Sequence, residues 1–365
     1  MGRKTRQIKL GGLLIGGDAP ISVQSMCSTD TRDVTATLTQ ISALEQAGCE
    51  IVRCAVPDLD AALALKQIRH GCQIPLVADI HFDYRLALAA IDAGIDGLRI
   101  NPGNIGERWK VAEVVRACQE RQIPIRIGVN GGSLERELLR KHGQATAAAM
   151  VESALGHIRQ LEEESFEQIK ISLKASDIGR TVAAYRLLAQ QVDYPLHVGI
   201  TEAGTVFSGT IKSAIGIGVL LSEEIGDTLR VSLTGDPVTE VRVGWEILKS
   251  LELRERGPVF ISCPTCGRCR IDLIEIANEV EVRLQDLPLP LKIAVMGCAV
   301  NGPGEAREAD LGIAGGSDEG ILFRRGELVC KVPQSELADT LVAAAWQEVA
   351  ERQAPKNNHI GSTSA

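Results

Sequence analysis

The sequence predicts a (β/α)8 barrel followed by a small α+β domain. Between residues 20 and 250, a short β-branched run and then a helical pattern recur about every 25–35 residues, and there are eight such runs. Alternating strands and helices form right-handed βαβ units with a parallel sheet, and eight units in this length fit a closed barrel. Near Leu251 the composition changes, which indicates a second domain.

The barrel elements are predicted from β-branched runs and from apolar residues at helical spacing. The predicted strands are Ile21–Met26, Glu50–Ala55, Pro75–Ile80, Gly97–Asn101, Pro124–Val129, Gln168–Lys174, Pro195–Thr201 and Leu229–Leu233. Helical patterns include Ala61–Arg69, Arg85–Ala93, Arg108–Gln119, Thr146–Glu163, Arg180–Gln191 and Ile211–Ser222. A doubly wound open sheet is the alternative, but Ser25–Thr29 after the first strand is not the glycine-rich fingerprint usual there.

The domain boundaries follow from composition. Residues 1–252 are assigned to the barrel, Glu252–Gly257 to a charged linker and residues 258–352 to the α+β domain. The predicted elements of that domain are the strands Pro258–Ser262, Leu291–Val295, Leu311–Ala314 and Glu327–Val332 and the helices Asp272–Arg283 and Ser335–Glu351. Residues 353–365 are polar, with Pro, Asn, Gly and Ser, and are expected to be disordered.

Charge and hydropathy exclude some classes of protein. The net charge of −8 argues against a nucleic-acid-binding protein, which needs a basic surface. No apolar run approaches the roughly 18 residues that span a membrane. The basic segment Met1–Leu10 lacks the apolar region of a signal peptide. We therefore expect a cytoplasmic protein.

The ten cysteines fall into two groups. Five stand singly among hydrophobic residues before residue 120 and are expected to be small buried core residues. The others include the run Cys263–Cys269, of sequence C-P-T-C-G-R-C, and Cys298 in the segment Gly297–Glu305. Two thiolates on one loop and a further one in a glycine-rich segment suit an iron–sulfur cluster or zinc, and a redox dithiol is the remaining alternative.

Charged and polar residues recur at the ends of the predicted barrel strands, where barrel enzymes carry their chemistry. They are Arg53, Asp79, His81, Arg99, Asn101, Asn104, Arg126, Asn130, Lys170, Ser172, Lys174, His197, Glu202, Lys212, Ser213, Arg230, Ser232 and Thr234. Arginine and lysine side chains that converge on one mouth suit a polyphosphate. The alternative is that each cation pairs with a carboxylate inside the barrel, but few acids lie at the same strand ends.

Several segments resemble those of the 4-hydroxy-3-methylbut-2-enyl diphosphate synthase family, over nearly the whole chain. They are Val23–Met26, Ala78–His81, Arg99–Asn104, Gly128–Asn130, Gly199–Gly204, Ser262–Cys266 and Met296–Glu305. The resemblance implies a cytoplasmic iron–sulfur oxidoreductase of the methylerythritol phosphate route to isoprenoids. Its reaction would be the two-electron reductive ring opening of 2-C-methyl-D-erythritol 2,4-cyclodiphosphate, with loss of water.

The resemblance also implies a cofactor and partners. The 4Fe–4S cluster would be held by Cys263, Cys266, Cys298 and Glu305, with Cys269 as a neighbour and not a ligand. Electrons would come from flavodoxin or ferredoxin. The family works as a head-to-tail homodimer, in which the cluster of one subunit caps the barrel of the other.

For this substrate we predict which barrel side chains act. The diphosphate is expected on Arg53, Arg99, Arg126 and Lys212, with hydrogen bonds from Asn101, Asn130 and Ser232. Glu202 is the candidate acid for the departing hydroxyl, although it could instead cap a helix. His81 is either a second proton donor or a hydrogen-bonded residue of the strand end.

Two functions of other classes stay open on the residues alone. A barrel aldolase or transferase could carry a structural zinc domain after residue 258. A plain electron-transfer protein could carry the same cysteines, but the eight barrel units argue against it.

Overall fold

The chain forms two compact units, the first ending at Arg254 and the second beginning at Glu255. The computed structural model describes residues 3–298, 304, 308–316 and 319–353. The predicted disordered tail falls on residues 353–365, of which all but Gln353 lie outside the described residues. No described helix is both long enough and apolar enough to cross a membrane.

The first unit is built on eight parallel strands, which confirms the predicted barrel. An antiparallel hairpin precedes them, with strands β1 (Ile8–Leu10) and β2 (Leu13–Ile15). The barrel strands are β3 (Ser22–Met26), β4 (Ile51–Ala55), β5 (Leu76–Asp79), β6 (Gly97–Ile100), β7 (Ile125–Asn130), β8 (Ile169–Lys174), β9 (His197–Val198) and β10 (Thr228–Leu229). Their order is β8-β7-β6-β5-β4-β3-β10-β9. A parallel bridge between Ile171 and Leu196 nearly closes the ring.

Helices follow the strands and cover the outside of the barrel. They are α1 (Val34–Ala47), α2 (Leu59–Gly71), α3 (Tyr84–Asp92), α4 (Pro102–Ile105), α5 (Arg108–Arg121), α6 (Arg136–His142), α7 (Ala147–Glu163), α8 (Ile178–Ala189), α9 (Val206–Ser222) and α10 (Pro237–Ser250). The five cysteines before residue 120 are all buried in this unit, as expected from their apolar surroundings. One continuous aliphatic core lies between the strands and the helices.

Aspartate side chains start many of these helices. Backbone N–H groups of the first turn donate to the aspartates at the N-caps of α1, α2, α3, α8 and α10, which are Asp33, Asp58, Asp83, Asp177 and Asp236. An N-cap carboxylate satisfies helix donors that have no partner inside the helix. These acids follow the barrel strands in sequence, but their oxygens are already hydrogen-bonded to backbone.

The hairpin closes the amino end of the barrel. Ile8, Leu10 and Ile15 are buried and pack with Ile51 and Val77 of the barrel interior. A Cβ added at Gly97 would lie 2.4 Å from Cδ1 of Leu10. The hairpin was not predicted, because its strands have three residues each and follow a basic segment.

The second unit is a five-stranded mixed sheet with helices, which confirms the predicted α+β domain. Its strands, in the spatial order β11-β12-β13-β14-β15, are β11 (Val259–Ser262), β12 (Lys292–Met296), β13 (Leu311–Ala314), β14 (Glu319–Arg324) and β15 (Glu327–Pro333). The helices are α11 (Leu273–Leu284) and α12 (Leu337–Gln353). The strand β14 was missed. Cys330 is half-buried on β15 and packs against the apolar core of this unit.

The hairpin contact generates a prediction about stability. Replacing Gly97 by Ala should force Leu10 aside and lower the free energy of unfolding by about 1–3 kcal/mol. The variant L10A should lose about 2–5 kcal/mol. The double variant should lose less than the sum, because the two side chains contact each other.

Urea unfolding of these variants, followed by a spectroscopic signal of the first unit, measures the losses in free energy of unfolding. The matched control is L14A on the same hairpin, since Leu14 is exposed and its loss should cost at most about 0.5 kcal/mol. Additive losses in the double variant would mean that Leu10 does not press on Gly97.

Candidate active site

Cations fill the inside of the barrel. Alternate residues of a strand face the same side, and on these strands one side presents charged groups. Five of the described cations are buried there: Arg53, Arg99, Arg126, Lys170 and Lys174. Arg230 follows β10 and is nearly buried. The structure thus brings together three of the four cations that were predicted to bind phosphate.

Asp79 is the buried carboxylate at the centre of this cluster. Its Oδ1 accepts a hydrogen bond from Arg99 Nη1 at 3.0 Å, and its Oδ2 lies 3.6 Å from Arg53 Nε and 3.5 Å from His81 Nε2. Burial would raise the pKa of Asp79, but Arg53, the hydrogen bond from His81 and Arg99 hold it well below its ordinary value. Asp79 is therefore ionised and orients two guanidinium groups.

Arg53 has an unusual second partner. Its Nη2 and Nε lie 2.8 and 3.1 Å from Sδ of Met26 on the neighbouring strand, and a thioether is only a weak acceptor. Burial lowers the pKa of the Arg53 guanidinium to about 10, although Asp79 opposes the shift. Arg53 thus has capacity for a stronger acceptor.

Other buried donors lack a partner among the described residues. These atoms include Nε of Arg99, Nε and Nη1 of Arg126, and Nζ of Lys170. Burial and the neighbouring arginines lower the pKa of Arg126 and of Lys174 well below their ordinary values. A buried donor without an acceptor costs about 1–3 kcal/mol, and more when charged. Such a group is expected to bind an anion.

Two glycines make room for these cations. A Cβ on Gly128 would lie 2.6 Å from Nε of Arg99, and one on Gly199 would lie 2.9 Å from Nζ of Lys174. Lys174 Nζ also lies 3.5 Å from Nε2 of His197, whose Nδ1 is 2.8 Å from Thr228 Oγ1. Burial, with Arg126 and Lys174 nearby, lowers the pKa of His197 well below its ordinary value, so this imidazole is neutral.

Acids do not balance the cluster. Besides Asp79, the buried carboxylate of this described unit is Glu240, which lies 3.4 Å from Arg230 Nη2. Glu240 also accepts from Ser25 Oγ and from the N–H of Leu233. The predicted alternative, that each barrel cation pairs with its own carboxylate, is not what the described residues form.

The remaining predicted residues lie at different places. Asn101 is buried and caps α4 through the N–H of Gly103, while Asn130 and Ser232 are half-buried at strand ends. His81 is half-exposed beside Asp79. Lys212 is exposed on α9, so the structure does not place it among the buried cations.

Glu202 lies past the end of β9 and is exposed. Its φ of +52° is uncommon for a residue with a side chain. Thr205 holds the N-cap position of the helix that follows, without a side-chain hydrogen bond to the first turn. The alternative that Glu202 is the N-cap residue of this helix is therefore wrong.

Lys174 and Arg230 join the cluster although neither was chosen for the diphosphate. The pattern Lys170-x-Ser172-x-Lys174 on one strand could have indicated Lys174, because residues two apart share a face. In the structure Lys170 lies opposite Arg126, and Lys174 lies opposite Asn130.

The second unit brings its cysteine loops into contact. The N–H of Gly297 donates to Sγ of Cys263 at 3.3 Å, and the N–H of Arg270 donates to the carbonyl of Gly297 at 3.0 Å. Cys298 follows Gly297 directly. The backbone N–H of Arg268 and its guanidinium lower the pKa of the exposed Cys266 thiol, which favours the thiolate that binds metal.

Cys269 lies beside this group, because a Cβ on Gly297 would be 2.6 Å from its Sγ. Its Sγ donates to the carbonyl of Ile271 at 3.3 Å, and both Cys269 and Cys263 pack against the apolar core of the second unit. Glu305 lies outside the described residues, and within the described part of the chain no three His, Cys, Asp or Glu side chains are placed to hold a metal. The thiols and the N–H···S bond suit an iron–sulfur cluster, since such bonds to cluster sulfurs are usual.

The fold and the charged mouth define a class: a (β/α)8-barrel enzyme for an anionic substrate, followed by a cysteine-bearing domain. Two family models resolve the class further. Residues 5–245 match the GcpE TIM-barrel domain and residues 259–347 match the GcpE protein C-terminal domain. The chain belongs to the GcpE family, which confirms the resemblance found in the sequence.

Curated relatives agree with this family assignment. The 4-hydroxy-3-methylbut-2-en-1-yl diphosphate synthase (flavodoxin) of Geobacter sulfurreducens is 68% identical over 96% of this chain and 100% of its own length. The enzymes of the same name from Symbiobacterium thermophilum and Maridesulfovibrio salexigens are 61% and 63% identical, over 96% and 92% of this chain and 95% and 93% of theirs. A dihydropteroate synthase from Xanthomonas albilineans is 12% identical over 68% of this chain and 98% of its own, with a TM-score of 0.49.

The role of Asp79 leads to a prediction about stability and pH. D79N should lower the free energy of unfolding by about 3–5 kcal/mol, because it leaves buried cations without their counter-charge. The pKa of Asp79 is lower in the folded than in the unfolded protein, so its contribution is present above the unfolded value of about 3.9 and is lost as the pH falls below it. Urea unfolding of both proteins from pH 8 to pH 3 measures the difference.

The matched control is D92N. Asp92 forms an exposed ion pair with Arg121, and such pairs contribute about 0–1 kcal/mol. An equal, small loss in both variants would mean that Asp79 does not balance the cluster.

Proposed function

We propose that this chain catalyses the reductive ring opening of 2-C-methyl-D-erythritol 2,4-cyclodiphosphate to 4-hydroxy-3-methylbut-2-en-1-yl diphosphate in the methylerythritol phosphate pathway. The single observation that carries the proposal is the buried cation cluster with unpartnered donors, in a chain of this family. The reaction takes up two electrons and two protons and releases one water. It is an oxidoreductase reaction, not an aldol or group-transfer reaction.

The diphosphate binds to Arg53, Arg99 and Arg126, with Lys174 and Arg230 added to the predicted set. Guanidinium groups bind phosphate oxygens strongly, and Nε and Nη1 of Arg126 are buried without a partner among the described residues. Asn101, Asn130 and Ser232 donate or accept at the rim. Lys212, exposed on its helix, is left at the periphery of this proposal.

The cofactor in this proposal is a 4Fe–4S cluster on Cys263, Cys266, Cys298 and Glu305. When bound, it supplies electrons to the substrate. Support comes from the contact between the two thiol loops, and from the lowered pKa of the Cys266 thiol. The N–H of Gly297 would stabilise a thiolate at Cys263. Cys269 holds the loop against the core of the second unit.

Glu202 donates the proton that lets the hydroxyl leave as water, because hydroxide is a poor leaving group. No described residue hydrogen-bonds its carboxylate, and it does not cap the following helix. His81 is the second candidate donor and reaches the mouth beside Asp79.

The proposal includes an electron donor, a second subunit and a location in the cell. The names of the relatives specify flavodoxin, and we propose flavodoxin as electron donor, with ferredoxin as the alternative. We also propose a homodimer, and a cytoplasmic location where thiol ligands stay reduced.

Anaerobic turnover tests the function. The reconstituted protein, given the cyclodiphosphate and a strong one-electron reductant, should form the linear diphosphate and one water per two electrons. E202Q should bind substrate normally but convert it roughly 100–10,000-fold more slowly, the usual range for general acid catalysis.

E223Q is the control, because Glu223 lies at the other end of α9 in an exposed ion pair with Arg186. Its turnover should equal that of the wild type. Normal turnover by E202Q would refute the acid role, and no product from wild type with a full cluster would refute the proposed reaction.

A pair of variants tests the cluster ligands. C298S should abolish the cluster, whereas C269S should keep iron and sulfide near the wild-type content, because Sγ of Cys269 already donates to the carbonyl of Ile271. Iron and sulfide analysis with absorbance near 400 nm measures both. The opposite result would mean that the run Cys263–Cys269 supplies the ligands.

A further inference from the structure

A seam between β8 and β9 interrupts the barrel of the first unit. These strands stand at the two ends of the sheet order, and the parallel bridge between Ile171 and Leu196 joins them near their amino ends. At that bridge the N–H of Ile171 donates to the carbonyl of Pro195 at 3.0 Å. The seam carries two residues of the site, because Lys174 ends β8 and His197 begins β9.

Tyr185 inserts its hydroxyl into this seam. A regular parallel ladder has evenly spaced bonds, so the next bond toward the mouth would run from the N–H of Leu173 to the carbonyl of His197. Instead, the N–H of Leu173 donates to Oη of Tyr185 at 3.0 Å, and that hydroxyl donates to the carbonyl of His197. One side-chain oxygen thus takes the place of a direct bond between the strands.

The helix α8 holds this hydroxyl in place. Tyr185 is fully buried on α8, and burial raises the pKa of its hydroxyl, so the hydroxyl keeps the proton that it donates. Thr181, one turn earlier on the same helix, binds the chain directly after β8, because its Oγ1 accepts from the N–H of Ala175 at 3.1 Å. Two hydroxyls of α8 therefore fix the carboxyl end of β8.

The inserted oxygen widens the seam beside the cation cluster. A direct N–H···O bond is about 2.9 Å long, and an oxygen between donor and acceptor keeps the two backbones further apart. Lys174 follows Leu173 directly, and its Nζ lies 3.5 Å from Nε2 of His197. A Cβ on Gly199 would lie 2.9 Å from the same Nζ. A change in the separation of β8 and β9 would therefore move this amine against its neighbours.

We propose that Tyr185 is a positioning residue for the diphosphate site. Its hydroxyl sets the separation of β8 and β9, and this separation places Lys174 and His197 for the anion. The ring of Tyr185 packs in the apolar core between the strands and the helices, so its effect on the ligand passes through those two residues. The inference rests on the proposed function, because it takes the diphosphate as the ligand of Lys174.

The variant Y185F removes the hydroxyl and keeps the ring. Calorimetric titration of the oxidised holoenzyme with the cyclodiphosphate should give a dissociation constant roughly 10-fold above that of the wild type, the effect of misplacing one charged contact. In anaerobic turnover KM should rise by the same factor. The change in kcat should stay below about 3-fold, because the contact serves the bound substrate and the transition state alike.

Y194F is the matched control. Tyr194 is also buried and its hydroxyl donates to Oε1 of Glu162 at 2.8 Å, but it precedes β9 at the amino end of the barrel. The melting midpoint of both variants should fall, because each loses one buried hydroxyl, whereas Y194F should bind the cyclodiphosphate as the wild type does. Equal losses of binding in Y185F and Y194F would mean that Tyr185 only stabilises the core.

A double-variant cycle tests whether Tyr185 acts through Lys174. K174Q should weaken binding by itself. In the K174Q background, Y185F should add less than about 3-fold, since two residues that act through one contact are not additive. A further loss as large as that of Y185F alone would overturn the positioning role.

Inorganic diphosphate separates this inference from the proposed reaction, because it has no ring to open. Titration of the wild type and of Y185F with this anion should give the same ratio of dissociation constants as titration with the cyclodiphosphate. If the wild type forms no linear diphosphate but the ratio persists, the reaction is wrong and the positioning role stands. If the wild type turns over normally and Y185F binds both ligands as the wild type does, the positioning role alone is wrong.

Discussion

The cost of burying positive charge governs the first unit. Five buried cations share a barrel whose buried, described carboxylates are Asp79 and Glu240. Removing an ion from water costs several kcal/mol even after the protein relaxes. A surplus of cations persists only where the surrounding structure is stable enough to hold it, and where an anion offsets it in the working protein.

The aliphatic shell provides that stability. Nearly all of the apolar core lies outside the strands, between them and the helices, so the inner side is left for polar groups. The hairpin adds a second apolar cluster at the amino end. Each aspartate cap ends one loop and begins the next helix, which fixes the loops around the mouth and keeps their acids away from the cations.

Sequence patterns predicted the repeating elements well and the isolated ones poorly. Long β-branched runs such as Gln168–Lys174 were found within one residue, because burial on both faces demands continuous apolar or β-branched residues. The strand β14 was missed, since Gly320 and charged ends interrupt its pattern. Lys212 was predicted in the first turn of its helix, but α9 begins at Val206, so Lys212 lies in the second turn, where it is exposed.

The cysteine loops illustrate a different limit of prediction from sequence. Spacing alone could not separate Cys269 from Cys266, because both belong to one run of C-x-x-C repeats. The difference lies in long-range packing: Cys269 presses on Gly297, where a Cβ would lie 2.6 Å from its Sγ. A contact across 28 positions of sequence leaves no local pattern.

The thioether of Met26 has a consequence for how fast ligands exchange. A guanidinium tied to a carboxylate must break a strong bond before it can accept a new partner, and that loss slows entry. At the sulfur, Arg53 gives up only a weak acceptor, while Asp79, 3.6 Å from its Nε, still orients the side chain. Met26 thus helps to position the Arg53 side chain before the ligand arrives. Only a weak interaction is lost when the ligand displaces the Met26 sulfur.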